Sequence, residues 1–181
     1  KHKLNELSKS TAVHSTLILD NRSSCKFTKT SNLSSTISHG LKITKKNVVF
    51  EKNYWKIGAA HDGYLKEYGV IHDREIEFYP EQLKFVGNDK IISKKNFKNK
   101  NFEIRFHLEP NVKIMKTQDN KSILIELEKD GWKFICNEYS INIDNGLYFG
   151  KKNSFIENQN ILISGMTQNQ IQTINWELTK L

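Results

Sequence analysis

Phe102-Glu103-Ile104-Arg105-Phe106-His107-Leu108 alternates apolar and polar side chains without a break. Successive residues of an extended strand point to opposite faces, so this heptapeptide fits a strand with Phe102, Ile104, Phe106 and Leu108 buried and Glu103, Arg105 and His107 turned outward. Half-buried strands of this kind belong to antiparallel sheets, because parallel strands covered on both faces carry continuous apolar runs. The same rhythm recurs in Arg74–Tyr79, Ile123–Leu127, Trp132–Cys136, Tyr139–Ile143 and Ile174–Leu178.

Turn chemistry points the same way. Asp130-Gly131 divides two of these patterns, and Asn145-Gly146 divides Tyr139–Asp144 from Leu147–Gly150. Both dipeptides tolerate the positive φ of a type I′ hairpin turn, so both are expected to close hairpins. Asp62-Gly63 and His39-Gly40 mark further turns, and Pro80 and Pro110 fall just beyond strand patterns, where a missing amide donor costs little. No stretch of a dozen residues places apolar side chains at i, i+3, i+4 and i+7, so little helix is expected. Lys94–Lys100 and Met166–Gln172 are polar connections too short to link separate domains. The fold expected is all-β: an antiparallel two-layer β-sandwich with hairpin connections.

A chain of 181 residues with 37% hydrophobic and 10% aromatic content can build one packed core, so a single domain over residues 1–181 is expected. Its opening residues, Lys1–Ser10, are polar and do not resemble an export signal, and there is no initiator Met. The chain is therefore expected to be the downstream part of a larger protein. No apolar run reaches 18 residues, so no membrane-spanning helix is expected. Cys25 and Cys136 could pair, but two cysteines make no disulfide framework, and the compartment stays open.

The net charge of +8 raises the question of a polyanion partner, yet only Arg22, Arg74 and Arg105 among 28 basic residues are arginines. Scattered lysines lack the bidentate fork that reads phosphate and bases, so nucleic acid is not the expected partner.

The six histidines, at 2, 14, 39, 61, 72 and 107, form no compact metal motif. His14 is expected on a strand through Thr11-Ala12-Val13-His14-Ser15-Thr16, sharing its face with Ala12, Thr16 and Ile18. That setting suits an imidazole oriented toward a metal or a sugar, or an ordinary sheet surface, and spacing alone favours the surface. His61, Asp62 and Tyr64 fall at a turn and could face a cleft. His72 and Arg74 share one strand face and could grip a carboxylate or sulfate; His107 and Arg105 repeat that pattern.

In order, Lys9-Ser10-Thr11-Ala12-Val13-His14-Ser15-Thr16-Leu17, Ala60-His61-Asp62-Gly63-Tyr64, Arg105-Phe106-His107-Leu108 and Ile174-Asn175-Trp176 resemble the C-terminal part of heparinase II/III-like proteins, which are bacterial polysaccharide lyases or relatives of them. The likeness runs from about Ser8 to Leu181. It implies a helical toroid upstream of the sandwich and β-elimination on a uronate-containing polysaccharide, a base taking the proton α to the carboxylate while an acid assists the leaving oxygen. The family's catalytic tyrosine and histidine come from the helical domain and the cleft, so no catalytic residue is assigned to this chain. The resemblance also implies zinc, with His14 matching one ligand and the others lying upstream of Lys1. Structural zinc closes with four ligands, so the zinc site here is expected to be incomplete and the chain inactive alone.

The implied partners are an acidic polysaccharide and the upstream helical domain of the same protein, in the periplasm if exported as secreted lyases of the family are. Two other readings compete: a free-standing carbohydrate-binding module using Trp55, Tyr54 or Tyr64 as sugar platforms, with Trp132 and Trp176 as core, and a basic nucleic-acid-binding β domain resting on charge alone.

Overall fold

A computed structural model describes residues 6–29, 35–94, 98–150 and 154–181. Its strands are β1 (Leu17–Leu19), β2 (Lys26–Lys29), β3 (Ser35–His39), β4 (Ile43–Glu51), β5 (Tyr54–His61), β6 (Val70–Tyr79), β7 (Lys84–Ser93) and β8 (Asn101–His107). They continue as β9 (Lys113–Lys116), β10 (Ser122–Glu126), β11 (Gly131–Ile135), β12 (Ile141–Tyr148), β13 (Ile156–Met166) and β14 (Ile171–Lys180). A short helix, α1 (Leu65–Tyr68), and two 3-10 turns, at Thr11–Val13 and Pro80–Gln82, interrupt them. No described helix is long and apolar enough to cross a membrane.

Every named strand pair is antiparallel. A four-stranded sheet, ordered β1-β8-β13-β12, packs on an eight-stranded sheet ordered β4-β5-β6-β7-β14-β11-β10-β9, and β2 with β3 forms a separate hairpin. The protein is thus the expected antiparallel sandwich. β8 shows why: Phe102 and Ile104 are buried at 1% and 0%, and they stand opposite Leu19 and Leu17 of β1. Across the layers, the Phe106 ring meets Phe134 at 4.9 Å and Trp176 at 4.8 Å. Aligning inner faces in this way buries one side of each strand, which is the main stabilising term of such a fold.

Three local expectations are corrected. Asn145-Gly146 closes no hairpin; both residues lie inside β12, with Gly146 opposite Asn158 of β13. Gly146 has no positive φ, and a Cβ there would come within 2.1 Å of Asn160 Nδ2 and 2.8 Å of Asn158 Oδ1, so the glycine makes room for two amide side chains. Asp130-Gly131 does adjoin a hairpin, β10 to β11, but the reversal spans Leu127–Asp130, closed by Leu127 N–H donating to Asp130 O at 2.9 Å. Neither residue adopts positive φ, so the turn is not type I′.

The expected strand through Thr11–Thr16 is the third. Thr11–Val13 is a 3-10 turn and β1 begins only at Leu17. Thr11 N–H donates to Ser23 Oγ at 3.1 Å, and Ser24 N–H donates to Thr11 Oγ1 at 3.0 Å. These hydroxyl contacts take the backbone groups a ladder would need.

Candidate functional site

The residues singled out at the end of β5 and on β6 converge on a carboxylate that was not. Register places His61 of β5 opposite His72 of β6, and Arg74 of β6 opposite Asp89 of β7. Asp89 is fully buried at 0% exposure. Its Oδ1 accepts from His72 Nε2 at 2.6 Å and from Arg74 Nε at 2.7 Å, while Oδ2 accepts from the indole N–H of Trp176 at 2.9 Å. His72 and Arg74 do grip a carboxylate, then, but it is one of the protein's own. Burial alone would raise the Asp89 carboxyl; the Arg74 charge and the His72 hydrogen bond outweigh it and hold it at about 2.

The proton positions along this chain of contacts follow from one amide. Gly63 N–H donates to His61 Nδ1 at 3.2 Å, so the neutral His61 ring carries its proton on Nε2. That proton points to His72 Nδ1, 3.2 Å away, and the other nitrogen of that ring, Nε2, faces Asp89. Burial first, and the neighbouring His72 second, push the His61 imidazole down to about 4. Both nitrogens of both rings are engaged, so neither ring can act as a base toward a substrate.

Arg74 ties the two layers together. Its Nη1 donates to Ser15 O at 2.6 Å, just ahead of β1, and its guanidinium lies 5.6 Å from the centre of the Phe106 ring. Ser15 Oγ in turn accepts from His107 N–H at 3.0 Å, and His107 Nε2 donates to Ala12 O at 3.1 Å. Burial lowers the His107 imidazole, partly offset by the Ala12 carbonyl. Arg105 is drawn sideways to Glu103 and Asp144, so Arg105 and His107 do not form one anion grip.

Tyr64 is buried at 1% exposure, and its hydroxyl donates to Leu17 O at 2.9 Å with Arg22 O at 3.2 Å. Burial pushes that phenol well above its ordinary range. It pins β1 to the end of β5 and is no sugar platform. Asp62 Oδ1 accepts from Lys42 N–H at 2.6 Å, and Tyr54 donates to Glu77 at 3.0 Å. Trp176 is core, Trp132 is half-buried, and Trp55 stays open at 41% exposure. His39 lines a surface cleft of about 240 Å³ with Lys26 and Lys66. His2 lies outside the described residues. Cys25 and Cys136 are both free thiols.

The sequence profile described as heparinase II/III-like, C-terminal, matches residues 1–177. The chain belongs to this family. As a heparinase II/III-like C-terminal domain it has the same fold as heparan sulfate lyase HepC from Pedobacter heparinus, with a TM-score of 0.76 at 14% identity over 98% of this chain and 25% of that one. A crystal structure of heparinase III gives a TM-score of 0.69 at 13% identity over 100% of this chain and 25% of that one. The heparinase II/III-like domain thus spans about a quarter of the length of these lyases. No curated protein matches the sequence.

His14, the zinc ligand implied by the family resemblance, sits in this domain just past the 3-10 turn, exposed, with its Nε2 donating to Ser8 O at 3.1 Å. No cluster of three or more His, Cys, Asp or Glu suited to a metal exists among the described residues. His14 thus belongs to no such cluster among the described residues.

Proposed function

We propose that this heparinase II/III-like domain is the sandwich unit of a polysaccharide lyase whose full-length form cleaves uronate-containing polysaccharide by β-elimination, and that the unit alone does not turn over substrate. The observation that carries the proposal is the likeness along 98% of this chain to a protein four times its length, named for heparan sulfate cleavage. Elimination needs a base beside the α-proton and an acid beside the leaving oxygen. Here Tyr64, His61 and His72 are tied up by internal hydrogen bonds. In this reading His14 supplies one zinc ligand, and residues elsewhere in the full-length protein supply the others.

The test is direct. The chain is incubated with heparan sulfate and other uronate polymers while ultraviolet absorbance of the unsaturated product is followed. No product is expected from the chain alone, and sustained product formation overturns the proposal.

The second reading, a free-standing carbohydrate-binding module, rests on the open indole of Trp55. Titration against immobilised glycans separates the two, since a module binds with neither metal nor partner domain.

A further inference from the structure

Eight strands face four, and the excess lies at one end of the large sheet. The small sheet's β1 and the segment before it sit against the end of β5 and against β6, through Tyr64 to Leu17 and Arg74 to Ser15. Its next strand, β8, sits over β14 and β11 through Phe106. Beyond β1, the inner face of β4 and β5 has no described layer above it.

That uncovered face is apolar. Phe50 of β4, Trp55 of β5, Phe78 of β6 and Phe85 of β7 stand opposite one another in register, with ring centres 5.2, 5.1 and 4.4 Å apart. Phe85 then faces Leu178, which faces Phe134 in the core, so the row runs unbroken from solvent into the sandwich interior. The adjacent row pairs Val48 with Ile57 and Ile57 with Ile76. Val48, Phe50, Trp55 and Ile57 are exposed at 71%, 76%, 41% and 63%. Single exposed apolar residues need no explanation, but four adjacent ones continuous with a core do.

We propose that this shelf seats the remainder of the longer polypeptide, as an apolar interdomain contact; the proposal rests on the reading that the chain is one domain of a longer lyase. The shelf continues the inter-sheet core, which is what an interface completed by more protein requires. An acidic glycan is the wrong occupant. Within the two rows there is no charged side chain to meet a carboxylate or sulfate, Lys46 at the edge being the one exposed cation on the same face of β4, and branched Val48 and Ile57 offer no flat stacking face. A second copy is opposed by the net charge of +8.

Hydroxyl-radical footprinting of the 181-residue chain and of the continuous polypeptide that includes its upstream coding sequence tests this. Trp55 and Phe50 are expected to oxidise readily in the chain alone and, in the longer protein, to fall to the level of buried Trp176. Ile57→Glu, at a side chain 63% exposed, should leave the chain's melting temperature almost unchanged yet make the longer protein release the sandwich on brief proteolysis. Trp55 left open in the longer protein overturns the proposal. So does protection in the chain alone, whether by added heparan sulfate or by self-association. Lyase activity is measured separately: an active longer protein with open Trp55 sinks the docking face and keeps the functional reading, while protection without activity does the reverse.

Discussion

Trp176 lies across the backbone of Gly87, its register partner on the neighbouring strand, and from there its indole N–H reaches Asp89 two residues along. The glycine is what allows this. A Cβ at position 87 would fall 1.9 Å from Cε2 and 2.0 Å from Cζ2 of the indole. Gly87→Ala should therefore displace the ring and cost about 2–4 kcal/mol from overpacking and a lost buried hydrogen bond. Urea unfolding followed by tryptophan fluorescence measures this loss. A loss under about 0.5 kcal/mol, the range of an ordinary surface substitution, would show that the ring is not held there.

Asp89→Asn should be worse. The substitution keeps one acceptor oxygen but sets an NH₂ group against the His72, Arg74 and Trp176 donors, and it leaves the Arg74 charge largely buried and unpaired. Removing one partner of such a pair costs about 3–5 kcal/mol. Asp144→Asn is the control: Asp144 is 43% exposed and Arg105 keeps Glu103, so a change of about 0–1 kcal/mol is expected. Equal losses in the two variants would refute the anchoring role of Asp89.

How legible each element is in the sequence depends on how far its signal reaches along the chain. β8 was legible because each of its inward residues meets the core, so alternation and burial coincide. β4 and β5 alternate too, but their apolar face ends in solvent, and nothing local marks that. β13 hides its pattern because Asn158 and Asn160 are buried polar residues beside Gly146, the same packing that turned an apparent hairpin signal into continuous strand. At the site, His61, His72 and Arg74 could be singled out by type and spacing, whereas Asp89 joins them only through register. One local clue existed: Asp89 alternates with Gly87 and Ile91, so it points inward, where a lone carboxylate needs partners. The sequence around His14 has the pattern of a strand because the pull of Ser23 and Ser24 on Thr11 comes from beyond the reversal at Asp20 and Asn21, both at positive φ.

The zinc reading makes a prediction in two parts. In the 181-residue chain, zinc should leave the melting temperature unchanged, since a site saturated at a hundred times its Kd would add about 2.7 kcal/mol and one exposed imidazole cannot supply it. His14→Ala should cost this chain less than about 1 kcal/mol, the worth of one exposed hydrogen bond. In the full-length protein the same substitution should strip zinc from the purified material, as metal analysis would show. Stoichiometric zinc retained by that variant would remove His14 from the ligand set.

Acid should weaken the fold in two separable windows. The His61 imidazole sits at about 4 in the folded protein against 6.5 for a free side chain, because it is buried beside His72 and its Nδ1 is turned onto the Gly63 amide. Between those values the unfolded chain binds a proton that the folded chain refuses, so stability falls as pH drops from about 6.5 to about 4 and this contribution is spent below that. With allowance for solvent screening of a half-buried ring, the loss should be about 1–2 kcal/mol. Asp89 loses its contribution in the same direction but at lower pH: its carboxyl lies at about 2 against 3.8, so the stability it confers is intact above about 3.8 and disappears as pH falls through about 2. Urea midpoints measured from pH 7.5 down to pH 2 should resolve the upper window first. His61→Gln keeps a donor for His72 but cannot ionise, so it should flatten the slope between pH 6.5 and 4 while leaving the Asp89 window in place. An unchanged slope in that variant would mean that another group titrates there and that the His61 ring is not held neutral by its surroundings.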